Sequence, residues 1–253
     1  MRYGARVGGL TMPLKFTAAI ESVGPGQSAA WVSLARKIHE LGRDAAVRVL
    51  VIRADGRGFQ AGVDVKELAK DGSLIVDVNR GCYDTFAAIY DCPVPVISAV
   101  HGYCLGGGIG MAGASDLVLA SDDATFGLPE IDRGAMGGAT HAMRMFGMQR
   151  ARHMLLTGES LSAQEGYRLG GIFAVVPREK LQGAALELAA KIASKSPRAV
   201  RLAKQALNGI ELLDPNQSYR FEQGFTLELY TSPDSQESRD AFVQKRDAKF
   251  EKG

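Results

Sequence analysis

Three consecutive glycines, Gly106-Gly107-Gly108, constrain the fold of this chain more than any other stretch. They follow an apolar run over 94–100, bounded by prolines, which is typical of a buried strand. A glycine segment beyond a strand can bring backbone N–H groups close to a ligand oxygen, and at the start of a helix those groups lack partners within the helix. Glycines also serve close helix–sheet contacts or flexible turns. The triplet therefore predicts either a backbone ligand site or tight packing.

A second glycine-rich loop, 56–65, follows a second apolar run at 47–52, whose continuous β-branched residues are typical of a strand covered on both faces. Apolar spacing predicts helices at about 28–42 and 79–91, and a further strand at about 116–120. Strand, glycine loop and helix thus alternate, which predicts an α/β layered fold. Because backbone ligand sites in such folds lie beyond strand carboxyl ends, we expect the two glycine loops to approach one ligand.

The carboxyl-terminal part is expected to be helical, since strand patterns stop after about residue 178. Amphipathic patterns and the Ser196-Pro197 start signal predict helices at 180–195, from 197 onward, at about 216–230 and at 233–250. At the other end, 14–20 fits a strand between glycine-rich segments. We therefore predict a core over 1–195 that holds the site and a helical oligomerisation region over 196–253.

Composition excludes several classes of protein. The 253 residues suffice for one large α/β domain, alone or with an appendage, and 46% hydrophobic with 23% charged residues is typical of a soluble globular chain. A net charge of +2 argues against a nucleic-acid or membrane partner, and no apolar run reaches bilayer length. The first 13 residues lack the apolar core of a secretory signal. Cys82, Cys92 and Cys104 show no CxxC spacing, which favours reduced thiols in a cytoplasmic protein over a disulfide framework or zinc site.

Two motifs each allow a functional and a purely structural interpretation. Residues 108–113 match GxGxxG, but the next strand begins near Asp116 and leaves only about two helical turns, too short for the crossover helix of a dinucleotide fold. Glu130 lies among apolar neighbours, where burial would raise its pKa and make it a usable acid or base. The plainer alternative is a surface or capping glutamate. The four histidines are scattered, which disfavours a metal cluster.

A set of segments resembles the crotonase (enoyl-CoA hydratase/isomerase) superfamily in order and spacing. Gly58 to Leu68 resembles the family's F-x-A-G-x-D-[LIV]-K-E segment, and further matches lie at 93–102, 106–108, 115–116, 126–130, 156–158, 163–165, 170–177 and 241–246. The resemblance covers about 28–250. It implies a spiral of ββα units with a helical trimerisation region, often a dimer of trimers. It also implies an acyl-CoA thioester substrate and no separate cofactor, because coenzyme A is part of the substrate.

The resemblance assigns roles to individual residues. The backbone N–H groups of Val63 and Gly107 would form an oxyanion hole for the thioester oxygen, and Glu130 would be the catalytic carboxylate. Fixed N–H donors of this kind contribute about 3–4 kcal/mol each. The substrate-binding candidates are Ala61, Asp64, Arg133, Gly138, His141 and Lys245. Arg133 could bind a substrate carboxylate or polarise a ketone and His141 could relay a proton; a helix-flanking ion pair and an ordinary polar contact are the plainer alternatives.

Departures from the family pattern bear on the reaction. Family hydratases carry a glutamate two residues after the glycine triplet, where this chain has Gly110. Gly138 stands where some family hydrolases and dehalogenases are acidic, and Gly24 to Gln27 replace a segment that contributes to CoA contacts. The text over 127–141, with 79–82 and 218–225, resembles the actinobacterial crotonases of steroid degradation, which hydrolyse a carbon–carbon bond in a cyclic β-diketone CoA thioester.

Three functions therefore stay open. The first is hydrolytic ring opening, which needs one base and one oxyanion hole. The second is a single-glutamate enoyl-CoA hydratase, since water addition also passes through an enolate-like state. The third is an acyl-CoA-binding or assembly protein without catalysis, suggested by Gly110 and the altered amino-terminal segment.

Overall fold

A computed structural model describes residues 17–21, 28–63, 74–133, 135–211 and 232–250. The strands are β1 Thr17–Glu21, β2 Val49–Arg53, β3 Val96–Val100, β4 Tyr103–Leu105, β5 Leu117–Ser121, β6 Thr125–Gly127, β7 Leu161–Ser162 and β8 Ala174–Val176. The α-helices are α1 Ser28–Arg43, α2 Ile75–Tyr90, α3 Gly107–Ala114, α4 Ala139–Thr157, α5 Ala163–Arg168, α6 Leu181–Ala193, α7 Pro197–Ile210 and α8 Pro233–Val243, with 3₁₀ turns at Pro129–Arg133 and Arg178–Lys180.

The strands form two sheets. Five parallel strands lie in the order β1-β2-β3-β5-β8, with Ile97 of β3 opposite Val51 of β2 and Leu117 of β5. Three short strands form a second sheet in the order β4-β6-β7. The expected α/β architecture is confirmed, and the crossover that a dinucleotide fold would need after the glycine triplet is replaced by the eight-residue helix α3.

The central strands β2 and β3 of the larger sheet are buried on both faces, because nearly all of their side chains are apolar. Successive side chains point to opposite faces, so Val49 and Val51 pack against α6, while Leu50 and Ile52 pack on the side of α1 and α2. On the α6 side, the apolar side chains are those of Leu181, Ala185, Ala189 and Ala193. The glycine helix α3 lies in the other, larger core, and its residues from Gly108 to Ala114 are all buried.

Most predicted elements are confirmed within a few residues, and the differences have local causes. Helix α1 continues through Gly42 to Arg43, because Gly42 is buried against Cys92 and serves packing rather than helix termination. The last helix ends at Val243 instead of near 250, and Lys245 follows in the left-handed region at φ 51°. The helix expected at about 216–230 lies outside the described residues. The second sheet was not predicted, since strands of two or three residues carry no readable pattern.

Helix α7 is joined to the core by a buried ion pair. Lys204, 5% exposed, donates to Asp116 Oδ2 at 2.7 Å and to the backbone oxygens of Ile89 and Val94 at 3.3 Å each. At the start of the helix, Ser196 Oγ accepts from the Ala199 N–H at 3.1 Å, as the Ser-Pro signal predicts. The domain boundary at 195/196 stays a prediction.

Candidate active site

Backbone pairing with β4 brings the two glycine loops together. Gln60 donates its N–H to Tyr103 O at 3.2 Å, and Gln60 O accepts from the Leu105 N–H at 2.8 Å. This pairing carries Gly62, at φ 85°, to the start of α3, where a β-carbon on Gly62 would lie 3.4 Å from Gly107 N. Val63 is the next residue along the loop. The two loops that hold the expected oxyanion donors, at Val63 and Gly107, are therefore neighbours in the fold.

Gly107 is the first residue of α3, and Gly106 precedes it at φ 54°. The first N–H groups of a helix have no partners within it and carry the positive end of its dipole. A ligand oxygen placed at this end would therefore be stabilised as it gained negative charge.

The second sheet positions Glu130 beside the glycine triplet. Leu105 is paired with Gly127, and the Gly106 N–H donates to Gly127 O at 3.0 Å. The chain then enters the 3₁₀ turn Pro129–Arg133, in which the Glu130 carboxyl group reaches back to Gly106. A β-carbon on Gly106 would lie 3.0 Å from Glu130 Cδ and would collide with Oε1. Glu130 Oε2 is shielded from solvent. A carboxylate thus lies one residue away from the expected oxyanion donor of Gly107.

Phe86 occupies the space beside Gly110. A β-carbon on Gly110 would lie within 2.6 Å of three atoms of the Phe86 ring. The ring is itself held between Trp31, at 6.0 Å between ring centroids, and His141, at 4.9 Å. No side chain fits at position 110 while Phe86 stays in place. Phe86 and Trp31 were not predicted as residues of the site, because each falls on the apolar face of a predicted helix and neither differs in pattern from a core residue.

His141 lies in the first turn of α4, beside the carboxyl-terminal end of α3. It is half-buried, and its backbone and Cβ pack where a β-carbon on Gly113 would lie, 2.6 Å from His141 Cβ. Burial lowers the pKa of His141, and the positive charge of Arg144 lowers it further. Both effects favour the neutral imidazole, which can accept or donate one proton.

The other predicted binding residues have different outcomes. Gly138 lies near the site, since a β-carbon on it would be 3.5 Å from Gly106 O. Ala61 is exposed in the loop beside Gly62. Lys245 is exposed in the turn after α8. Asp64 and the side chain of Arg133 lie outside the described residues.

A cavity of about 260 Å³ lies elsewhere, between α6 and the ends of β2 and β3. Its polar wall includes His101 and Arg178, but both are engaged: Arg178 donates to Asp123 Oδ2 and Gly56 O at 2.7 Å each, and His101 Nε2 lies 3.2 Å from Gly56 O. None of the residues that line it is a predicted site residue. We therefore assign the candidate active site to the glycine loops and Glu130.

Within the described ranges, no cluster of three or more His, Cys, Asp or Glu side chains is arranged to hold a metal ion. The three cysteines are free, and burial raises the pKa of the Cys82 thiol to about 12. No helix in these ranges is both long enough and apolar enough to span a bilayer.

Comparison with known proteins finds related sequences and related structures. The sequence model described as Enoyl-CoA hydratase/isomerase matches residues 29–253. A protein of Rhodococcus jostii named "(7aS)-7a-methyl-1,5-dioxo-2,3,5,6,7,7a-hexahydro-1H-indene-carboxyl-CoA hydrolase" is 50% identical over 219 residues, which cover 86% of this chain and 85% of the relative. A protein of the same name from Mycobacterium tuberculosis is 47% identical, over 86% and 89%. The crystal structure of an enoyl-CoA hydratase from Bacillus anthracis superimposes with a TM-score of 0.85 at 30% identity, covering 90% of each chain. These matches confirm the resemblance and the expected α/β fold, while the helical trimerisation region stays a prediction.

Proposed function

Because this chain belongs to the enoyl-CoA hydratase/isomerase family, we propose that it is an enzyme that opens a ring of a cyclic β-diketone CoA thioester by adding water. The names of the Rhodococcus and Mycobacterium relatives, CoA hydrolases of a dioxo ring compound, support this substrate class. The observation that carries the proposal is one carboxylate, Glu130, against Gly106 at the start of α3, while Phe86 excludes a side chain from position 110.

The reaction needs one base and one anion site. Glu130 removes a proton from water, and the resulting hydroxide attacks the ring ketone. The bond between that carbon and the neighbouring ring carbon then breaks, and its electron pair passes to the thioester as an enolate. The Val63 and Gly107 N–H groups stabilise the enolate oxygen, and protonated Glu130 returns the proton to carbon. The products are a ring-opened carboxylate and an intact CoA thioester, which balances one added water.

The remaining predicted residues would bind the substrate. Ala61 and Asp64 flank the loop of Val63 in sequence, Gly138 leaves space beside Gly106, and Lys245 is proposed to contact coenzyme A. Arg133 and His141 keep their proposed roles in binding a carboxylate or ketone and in proton relay. No cofactor besides the CoA of the substrate is proposed.

Glu130→Gln tests the assignment. The purified enzyme is incubated in ¹⁸O-water with the dioxo-indene carboxyl-CoA named for the relatives and, separately, with crotonyl-CoA. Tandem mass spectrometry then locates any added oxygen. We expect ¹⁸O in a new carboxylate of the ring compound, and a loss of roughly 10²–10⁴-fold in rate for Glu130→Gln with unchanged CoA-ester binding.

Asp132→Asn is the matched control, because this exposed acid lies in the same 3₁₀ turn and faces Gly158 instead of Gly106. It should keep the wild-type rate. Turnover of crotonyl-CoA alone would favour a hydratase, and binding without turnover of either ester would favour a non-catalytic protein. An unchanged rate in Glu130→Gln would remove that residue from its role.

We also propose a homotrimer or a dimer of trimers working in the cytoplasm without nucleic-acid or membrane partners. Large apolar side chains on the described surface support an assembly: Val76, Tyr83, Leu156, Tyr167, Phe173 and Leu207 are each more than half exposed. The free, buried or half-buried cysteines fit a reducing compartment. Mass photometry of the purified protein measures the assembly directly, and a monomer at micromolar concentration would contradict this part of the proposal.

A further inference from the structure

Three glycines on one face of α3 each lie against a residue whose side chain carries a ring. Gly107, Gly110 and Gly113 are spaced three residues apart and therefore lie along one side of the helix. Their missing β-carbons leave room for Trp31, Phe86 and His141, in that order. Trp31 meets Phe86 edge to face at 82°, and Phe86 meets His141 at 66°. We call these three side chains the aromatic row.

Trp31, at the end of the row nearest the oxyanion donors, carries a polar group that the fold does not use. The residue is 0% exposed. Its Nε1–H is buried and meets no hydrogen-bond acceptor in the described structure. Buried donors are almost always paired, because an unpaired one has lost its hydrogen bond to water without replacement. An unpaired buried donor next to a candidate site points to an acceptor supplied by a ligand.

The position of the indole fits that interpretation. A β-carbon on Gly107 would lie 2.9 Å from Trp31 Cζ2, 2.8 Å from Cη2 and 3.5 Å from Gly62 Cα. Cζ2 is bonded to Cε2, the ring carbon that carries Nε1, so the nitrogen is on the side of the ring near this junction. The ring edge, Gly62 and Gly107 thus meet at one point, where the two loops of the proposed oxyanion hole converge.

The neighbours of Trp31 hold its ring in a fixed position. Thr85 Oγ1 donates to Trp31 O at 2.9 Å, which ties this turn of α1 to α2. Phe86, the next residue, packs against the indole at 6.0 Å between centroids. A donor fixed in this way is preorganised, so binding an acceptor requires little rearrangement of the protein.

We propose that Trp31 Nε1–H is a substrate-positioning donor that binds a ketone oxygen of the acyl group, beside the thioester oxygen held by Val63 and Gly107. This inference rests on the proposed acyl-CoA site and extends it to acyl selection: a β-keto acyl group, with two nearby carbonyl oxygens, satisfies all three donors, whereas a saturated acyl group leaves the indole unpaired.

The single tryptophan of the chain makes the test direct. Protein labelled with ¹⁵N in the indole gives one side-chain N–H signal, which is followed during titration with CoA, butyryl-CoA and acetoacetyl-CoA. We expect a downfield shift of the indole proton with acetoacetyl-CoA and no comparable shift with the other two. The same shift with butyryl-CoA, or no shift with bound acetoacetyl-CoA, would overturn the proposal.

Trp31→Phe keeps an aromatic ring and removes the donor. The dissociation constant for acetoacetyl-CoA should rise by about tenfold, as expected for one neutral hydrogen bond, with butyryl-CoA affinity unchanged within about twofold. The midpoint of thermal unfolding of the free protein should not fall through loss of a hydrogen bond. An equal loss of affinity for both esters would assign Trp31 to packing and refute the proposal. So would a variant that loses a hydrogen bond of the free protein while its affinity for acetoacetyl-CoA stays unchanged.

These outcomes are separable from those for the reaction. Titrations with non-turnover esters report the indole whether or not the dioxo ring substrate is opened. Ring opening without any indole shift would retain the proposed function and refute only the role of Trp31.

Discussion

We expect Gly110→Ala to destabilise the protein when Phe86 is present and to stabilise it in a Phe86→Ala background. The added methyl group would lie within 2.6 Å of the Phe86 ring, and that ring cannot swing away because Trp31 and His141 flank it. Overpacking a core by one methyl group costs about 1–3 kcal/mol, and so close an approach belongs at the upper end. Replacing a helical glycine by alanine returns about 0.5–1 kcal/mol. The net expectation is a loss of about 2–2.5 kcal/mol in the free energy of unfolding.

Removing the Phe86 ring should reverse the effect of Gly110→Ala on stability. Phe86→Ala alone should cost somewhat less than the roughly 3–5 kcal/mol of a fully buried phenylalanine, since the residue is only half-buried. In that background Gly110→Ala has space, and we expect it to raise the free energy of unfolding by about 0.5–1 kcal/mol.

Urea unfolding followed by circular dichroism, at one protein concentration for all four proteins, measures the cycle. Gly137→Ala is the control, because a β-carbon there meets nothing within 4 Å, and it should change stability by no more than about 0.5 kcal/mol. The same sign for Gly110→Ala in both backgrounds would refute the reasoning about Phe86.

Three further predictions concern other contacts. Asp116→Asn should lower the free energy of unfolding by about 3–5 kcal/mol, because it leaves the Lys204 charge buried without its partner. Lys204→Met should lower it by less, because it removes that charge. Denaturant unfolding measures both variants. His141→Gln should make the stability fall less steeply below about pH 6.5. The pKa of His141 is lower in the folded than in the unfolded state, so its contribution to stability is complete above the unfolded pKa and is lost as the pH falls toward the folded pKa. Gly106→Ala should reduce turnover at least tenfold, because its β-carbon would displace the Glu130 carboxyl group, and steady-state kinetics measures this.

Each has an opposing result. Equal losses in the two ion-pair variants would show that the uncompensated lysine charge does not dominate. A pH profile of unfolding that is identical with and without His141 would remove its titration from stability. Wild-type kcat in Gly106→Ala, with the protein folded, would separate Glu130 from the reaction.

The sequence predicted the parts of this molecule that depend on local pattern. The strands near 49–53 and 96–100 are apolar except at Arg53 and Ser98, and such nearly continuous apolar runs indicate cover on both faces. The approach of Gly62 to Gly107 followed from two glycine loops at strand carboxyl ends, together with the family resemblance. In each case a short stretch of chain contains the physical cause.

What the sequence did not predict depends on contacts between distant residues. Phe86 and Trp31 are ordinary apolar positions on two amphipathic helices, and only the packing of α1 and α2 against α3 places their rings over glycines. The pairing of Leu105 with Gly127, which brings Glu130 into the site, involves strands of three residues, too short for alternation to be visible. The length of the last helix was overestimated because its polar pattern continues past Lys245, where the backbone turns.

The glycine content of α3 affects how substitutions can change the catalytic rate during evolution. Four of its eight residues are glycine, so the isolated segment would spend little time helical. In the native protein, α3 is held in its helical conformation by packing against residues from other parts of the chain. Substitution of Phe86, the member of the aromatic row without a proposed contact to the CoA ester, can therefore change the orientation of the Gly107 N–H, and selection for activity should act on this position as well as on the glycine loop.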